Sequence, residues 1–279
     1  MLALGVLAAW GIAESVLVAA GTTLVEIAGL VLVVWVCSDS FATLPARAHE
    51  LVPPPGFAVW QPILVGAFLA FYAFIGFEDM VNVAEEARNP VRDMPRAILL
   101  ASAVATTLYI LVALVAVLAV PPTELAASDA PLAMLYARAT GREPTLIALV
   151  SIFAVINGAL IQMIMAARVL YGMSKEGWLP AALGTVGRRT RTPLVATALV
   201  TTAVLVASLA VPLVTLAQAA SFVILVVFTL VNVALLRLKL RRVAPPPGAI
   251  TVPAWVPALG AALSVALLMA QTVAALATE

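Results

Sequence analysis

Long apolar runs, interrupted by short polar and proline-bearing stretches, repeat along the whole chain. A helix that crosses the hydrocarbon core of a bilayer needs about 20 mostly apolar residues. Eight segments are candidate spans on that pattern, at approximately 1–13, 17–37, 61–87, 97–120, 145–171, 193–211, 215–237 and 253–274. Asn89-Pro90, Pro121-Pro122 and Pro245-Pro246-Pro247-Gly248 separate some of them, and such residues start turns and end helices. The runs are continuous rather than alternating, which argues against a β-barrel. The expected fold is all-α, a polytopic helical membrane protein of about eight transmembrane helices.

Composition agrees. Of the 279 residues 64% are hydrophobic and only 10% charged, whereas charged residues make up roughly a quarter of a soluble domain. The formal net charge is +1, without the concentrated basic patch of a nucleic-acid module, so nucleic acid is excluded as a partner. One cysteine, Cys37, and one histidine, His49, exclude an intrachain disulfide and a structural zinc site. No metal site and no cofactor are expected.

The basic residues orient the chain, because positively charged loops stay on the cytoplasmic side. Twelve of the 15 Lys and Arg residues lie around the loops after the third, fifth and seventh spans: Arg88, Arg92 and Arg96; Arg168, Lys175, Arg188, Arg189 and Arg191; Arg237, Lys239, Arg241 and Arg242. The alternate loops hold Arg47, Arg138 and Arg142. Loops 88–96, 172–192 and 237–252 are therefore expected to be cytoplasmic, in a multi-pass protein of the cell membrane, with 38–60 outside. Trp35 and Trp60 flank that outer loop, and Trp178 and Trp255 border inner ones, as suits rings that favour the headgroup region.

This orientation puts Met1 on the outer face. The first segment offers only about 13 apolar residues before Glu14, short for a crossing, and it lacks the basic n-region of a signal peptide. The expectation is that further helices precede it; a short re-entrant or interfacial helix is the other reading. Between spans, Ser128-Asp129-Ala130-Pro131 ahead of Leu132, Leu135 and Tyr136 predicts a short external helix within 121–145. Residues 171–193 read as a cytoplasmic loop.

Ionisable residues deep in a span cost roughly 2.5–3.5 kcal/mol each on insertion scales, which makes them functional candidates. Three places qualify. Glu26 lies about ten residues into the second span, near Thr22, Thr23 and Gly29. The fifth span carries Ser151, Gly158 and Gln162 on one face and Asn157 on another. The third reads Phe71-Tyr72-Ala73-Phe74-Ile75-Gly76-Phe77-Glu78-Asp79 and then Met80-Val81-Asn82-Val83-Ala84-Glu85-Glu86.

That third span runs from Gln61 to Glu86, long enough for about 39 Å of straight helix, yet its apolar character stops at Phe77. A glycine among aromatic residues, followed at once by two acids, is what a helix break needs, because glycine tolerates unusual backbone angles. Freed main-chain groups are tolerated only where they line a protein or water cavity. An intact helix with Gly76 at a packing contact is the alternative; a break near Gly76 is the expectation. Half-helix ends would then offer N–H groups and carbonyls to the two ends of a zwitterion near the bilayer midplane. Phe71, Tyr72, Phe74 and Phe77 would wall the site. Beyond the break, Glu78, Asn82, Glu85 and Glu86 form one polar face. Low dielectric favours the neutral form of a carboxyl, so Glu78 is a candidate for proton exchange, with a structural hydrogen-bonding role equally open. A buried hydrogen bond and a coupling-ion site are both open for Glu26. Gln162 is a candidate pocket residue or interhelical glue.

Two blocks carry a resemblance. FYAFIGFEDMVNVAEEARNPVRDMP, from Phe71 to Pro95, resembles the sixth transmembrane helix and following loop of the amino acid-polyamine-organocation permeases. NGALIQMIMAARVLYGMSKEGWLP, from Asn157 to Pro180, resembles the eighth helix, Arg191-Thr192-Pro193 the start of the ninth, and GIAES at 11–15 the end of the fourth. Placed so, the eight spans correspond to helices four to eleven of a LeuT-like fold of inverted five-helix repeats, without counterparts of the first three helices and of the twelfth. The chain then reads as one transmembrane transporter domain, residues 1–279. The resemblance implies substrate contacts at Tyr72, Phe74, Ile75, Gly76, Phe77 and Gln162, and a proton-linked carboxylate at Glu78. Many members carry lysine where this chain has Glu26, so coupling there departs from the family pattern. The function implied is secondary active transport of amino acids or related amines by alternating access, coupled to protons, with a missing N-terminal segment or a second chain as a partner. The alternative is a non-transporting remnant or accessory subunit of a split permease. An intramembrane enzyme fails on inventory: His49-Glu50 has no second histidine to complete a metal pair, and no histidine or lysine base for a serine nucleophile lies within a span.

Overall fold

The computed structural model describes residues 2–10, 15–82, 87–188 and 190–276. Its helices are α1 (Leu2–Trp10), α2 (Ser15–Val36), α3 (Leu44–Arg47), α4 (Phe57–Ala70), α5 (Phe77–Asn82), α6 (Pro90–Ala119), α7 (Pro122–Ala126), α8 (Pro131–Thr140), α9 (Thr145–Lys175), α10 (Leu194–Ala210), α11 (Leu213–Leu240) and α12 (Trp255–Leu276). Each predicted span is helical over most of its described residues. Among the described residues, α6, α9, α11 and 255–274 of α12 are each long and apolar enough to cross a bilayer, and 20–36 with the bent continuation 38–51 adds a fifth. The shorter apolar helices 58–74 and 194–210 fall just below that length, and α1 is only nine residues long.

Three interspan readings need correction. Segment 38–60 is not a plain loop: 3-10 turns at Ser38–Thr43 and Ala48–Leu51 flank α3. Its sequence alternates small and polar residues too finely for a periodicity argument to resolve single turns. The short helix predicted within 121–145 is present as α8, with Pro131 in its first turn, but α7 precedes it and Ser128 does not cap it; the Ser128 hydroxyl accepts the Ala130 N–H at 3.2 Å. The 171–193 loop is also partly helical, since α9 runs to Lys175. There Ser174 donates to the Pro180 carbonyl at 2.8 Å and Gly177 takes φ +79, so SKEGWLP folds back as a fastened turn.

The described residues form two compact units, Met1–Ala48 with Ala103–Leu209, and His49–Ser102 with Ala210–Glu279. In the first, Val33, Cys37, Val115, Val120, Leu135 and Ile147 make one buried cluster joining α2, α6, α8 and α9. A second cluster, Met163, Ala167, Ala196 and Val200, joins α9 and α10, with Leu4 of α1 against it. Buried Thr192 donates to the Ala9 carbonyl at 2.8 Å, which gives the Arg191-Thr192-Pro193 motif a physical role in seating α10 on the end of α1. In the second unit α4 and α11 each pack against α12. Asn232 of α11 sits so close to Gly260 of α12 that a Cβ there would lie 2.7 Å from its Oδ1. Elsewhere large apolar side chains face outward along the long helices, among them Leu99, Val155, Leu230 and Leu263. Exposed apolar surface on this scale suits lipid, not water.

Candidate functional site

The third span is interrupted where glycine allows it. α4 ends at Ala70, a 3-10 turn covers Phe71–Phe74, Ile75 is extended with ψ 135, and α5 begins at Phe77. Gly76 takes φ +125, a region that residues with a Cβ rarely enter. The Ile75 N–H donates to the Tyr72 carbonyl at 3.2 Å instead of continuing the α-helical ladder.

Aromatic packing fixes the interruption. Phe68, one turn before it, is buried. Phe71 meets Phe228 of α11 edge to face, with centroids 5.8 Å apart at 86°, a favourable arrangement for two rings. Phe74 and Phe77 face one another across the break at 6.4 Å and 36°. Ile75, Gly76 and Phe77 are half-buried, while Tyr72 is exposed. Of the predicted substrate residues, Tyr72, Phe74, Ile75, Gly76 and Phe77 are therefore gathered on one interrupted segment of the second unit. Glu78 follows within the first turn of α5, with its carboxyl outside the described part of the structure. The polar face predicted beyond it also lies outside, as regards the side chain of Asn82 and the whole of Glu85 and Glu86.

Gln162 belongs to the first unit, where it is exposed on α9. The carboxylate of Glu26 on α2 accepts a hydrogen bond from Asn157 Nδ2 of α9 at 3.0 Å. Asn157 is buried. Gly29, one turn beyond Glu26, makes this approach possible, because a Cβ there would lie 2.7 Å from Val150 Cγ1. A cavity of about 180 Å³ adjoins the pair, with Glu26 and Ser151 among walls formed by Leu30, Val33, Ile147 and Val150. Sequence reasoning placed Asn157 on a face of its own and missed this role. The signal was present, since an amide deep in an apolar span needs a partner as much as an acid does. What pattern alone does not supply is the pairing of helices 131 residues apart. Among the described residues, no group of three or more His, Cys, Asp or Glu side chains is placed to hold a metal ion.

Comparison with known proteins adds an independent observation. A family model described as amino acid permease matches residues 1–278. The chain is 30% identical over 194 residues to the branched-chain amino acid permease BcaP of Bacillus subtilis, an alignment that covers 66% of this chain and 41% of that protein. It is 29% identical over 248 residues to the vacuolar cationic amino acid transporter 4 of Arabidopsis thaliana, covering 87% of this chain and 40% of the relative. With the vacuolar cationic amino acid transporter 2 of the same plant it shares 32% identity over 180 residues, 63% of this chain and 28% of the other. The chain thus spans less than half the length of these relatives.

Proposed function

The chain belongs to the amino acid permease family, within the amino acid-polyamine-organocation superfamily, as a multi-pass membrane protein, and from that premise we propose secondary active transport of amino acids or related amines by alternating access. The observation that carries this reading is the main-chain interruption at Ile75 and Gly76. An apolar span gains nothing structural from losing helical hydrogen bonds, whereas a solute with charged ends gains main-chain dipoles to bind. In this reading the substrate lies against Phe74, Ile75, Gly76 and Phe77 and Tyr72 closes over it, while Gln162 remains a candidate pocket residue of the first unit. Glu78 exchanges the coupling proton, and Glu26, held by Asn157, is the second candidate for that exchange. The relatives' printed names span branched-chain and cationic amino acids, so the substrate class extends to both.

The test is uptake of radiolabelled leucine and lysine into proteoliposomes containing this chain under an imposed pH gradient. The reading predicts accumulation above empty vesicles, with the pH dependence abolished in Glu78→Gln. Accumulation with an unchanged pH profile in that variant removes Glu78 from coupling. No accumulation at all favours an accessory subunit of a split permease.

A further inference from the structure

A different cavity, of about 320 Å³, opens where α2 and α6 end beside α8. Its size falls at the lower end of the roughly 300–1,000 Å³ range of small-molecule sites. The floor is apolar, made by Val36, Val120 and Leu135 above the buried cluster of the first unit. Two opposite charges, Asp39 and Arg138, also line it. Asp39 forms no hydrogen bond or ion pair among the described residues. Arg138 donates through Nη1 to Glu124 at 2.6 Å, a pair with both side chains about half exposed. Such exposed pairs are held by about 0–1 kcal/mol, and a guanidinium has five N–H donors, so this one retains donors for a second carboxylate.

We propose that this cavity is a peripheral binding site for a small zwitterion, a free α-amino acid, with its ammonium group on Asp39, its carboxylate on Arg138 and its side chain on the apolar floor. The site lies wholly within the first unit, apart from the interrupted segment of the second. A zwitterion engages both walls at once, whereas a ligand with one charge engages only one of them, which is how the site selects zwitterions. The choice of amino acids among zwitterions rests on the transport reading.

The chain carries its own reporter. Its single cysteine, Cys37, is buried under the same cavity, with Sγ 3.8 Å from the Leu135 carbonyl. The experiment follows the carbon-13 β signal of cysteine-labelled chain in lipid nanodiscs, with leucine, N-acetylleucine or leucinamide titrated in. For a ligand that fills the cavity, the signal shifts in a saturable way, with about nine-tenths of the change reached at ten times Kd. Leucine should shift it, N-acetylleucine and leucinamide should not, and both Asp39→Asn and Arg138→Gln should lose the response. Glu124→Gln, which frees the guanidinium, should give the response at lower leucine concentration. A signal indifferent to leucine, an equal response to the singly charged analogues, or a response persisting in either cavity variant would each overturn the proposal. Because the readout is a local chemical shift, a chain that transports nothing can still pass this test, and a transporting one can fail it.

Discussion

The α4–α5 segment and the α2–α9 pair put polarity into apolar spans by opposite means. Between Ala70 and Phe77 the main chain gives up its helical ladder, and the surrounding side chains are aromatic. In α2 and α9 both helices run on, and the polarity is one carboxylate–amide hydrogen bond, Glu26 to Asn157. A side-chain pair is satisfied within the protein and can be exchanged for an apolar pair. An interrupted main chain has no such substitute, which is why the interruption is the stronger sign of a bound solute.

The largest effect should come from attacking the main-chain route. Gly76→Val places a β-branched residue at φ +125, at a cost of about 1–3 kcal/mol. Uptake normalised to membrane-inserted protein should fall at least about tenfold, since about 1.4 kcal/mol is a factor of ten in a conformational equilibrium. Wild-type uptake in that variant would show that the segment tolerates helical geometry. On the side-chain route, Asn157→Leu leaves the Glu26 carboxylate without its donor. A loss of about 0.6–2 kcal/mol follows, read as a drop in thermal midpoint. Glu26→Gln keeps an acceptor for Asn157 and should stay near the wild-type midpoint; equal losses in the two variants would break the assignment of that hydrogen bond. The smallest effect concerns a third treatment of main-chain groups, in which a helix end is capped from outside. Arg47 Nη1 donates to the carbonyls of Val117 and Leu118 at 3.1 Å each, at the last turn of α6. Arg47→Ala should speed amide exchange at the end of α6 and cost about 0.5–1.5 kcal/mol, with uptake unchanged.

The same contrast explains what was legible in the sequence. Hydrophobic run length located the long helices, including the four long and apolar enough to cross a bilayer, and the glycine among aromatics at 76 marked the break because few other residues adopt its geometry. Both are local properties. The Glu26–Asn157 bond was not legible, since it depends on which helices pack together, and neither was the cavity at Asp39 and Arg138, whose walls come from three helix ends. Segment 38–51 folded into short turns that no period of 2 or 3.6 announces. Ser128 looked like a cap by its position before Pro131, yet the Ala130 N–H took its oxygen first.

The most direct measurement is solid-state NMR of the chain in lipid bilayers with carbon-13 labels across residues 67–80. Helical secondary shifts through Ala70, non-helical shifts at Ile75 and Gly76, and helical shifts resuming at Phe77 are the result predicted. Uninterrupted helical shifts across all of these positions would contradict the account.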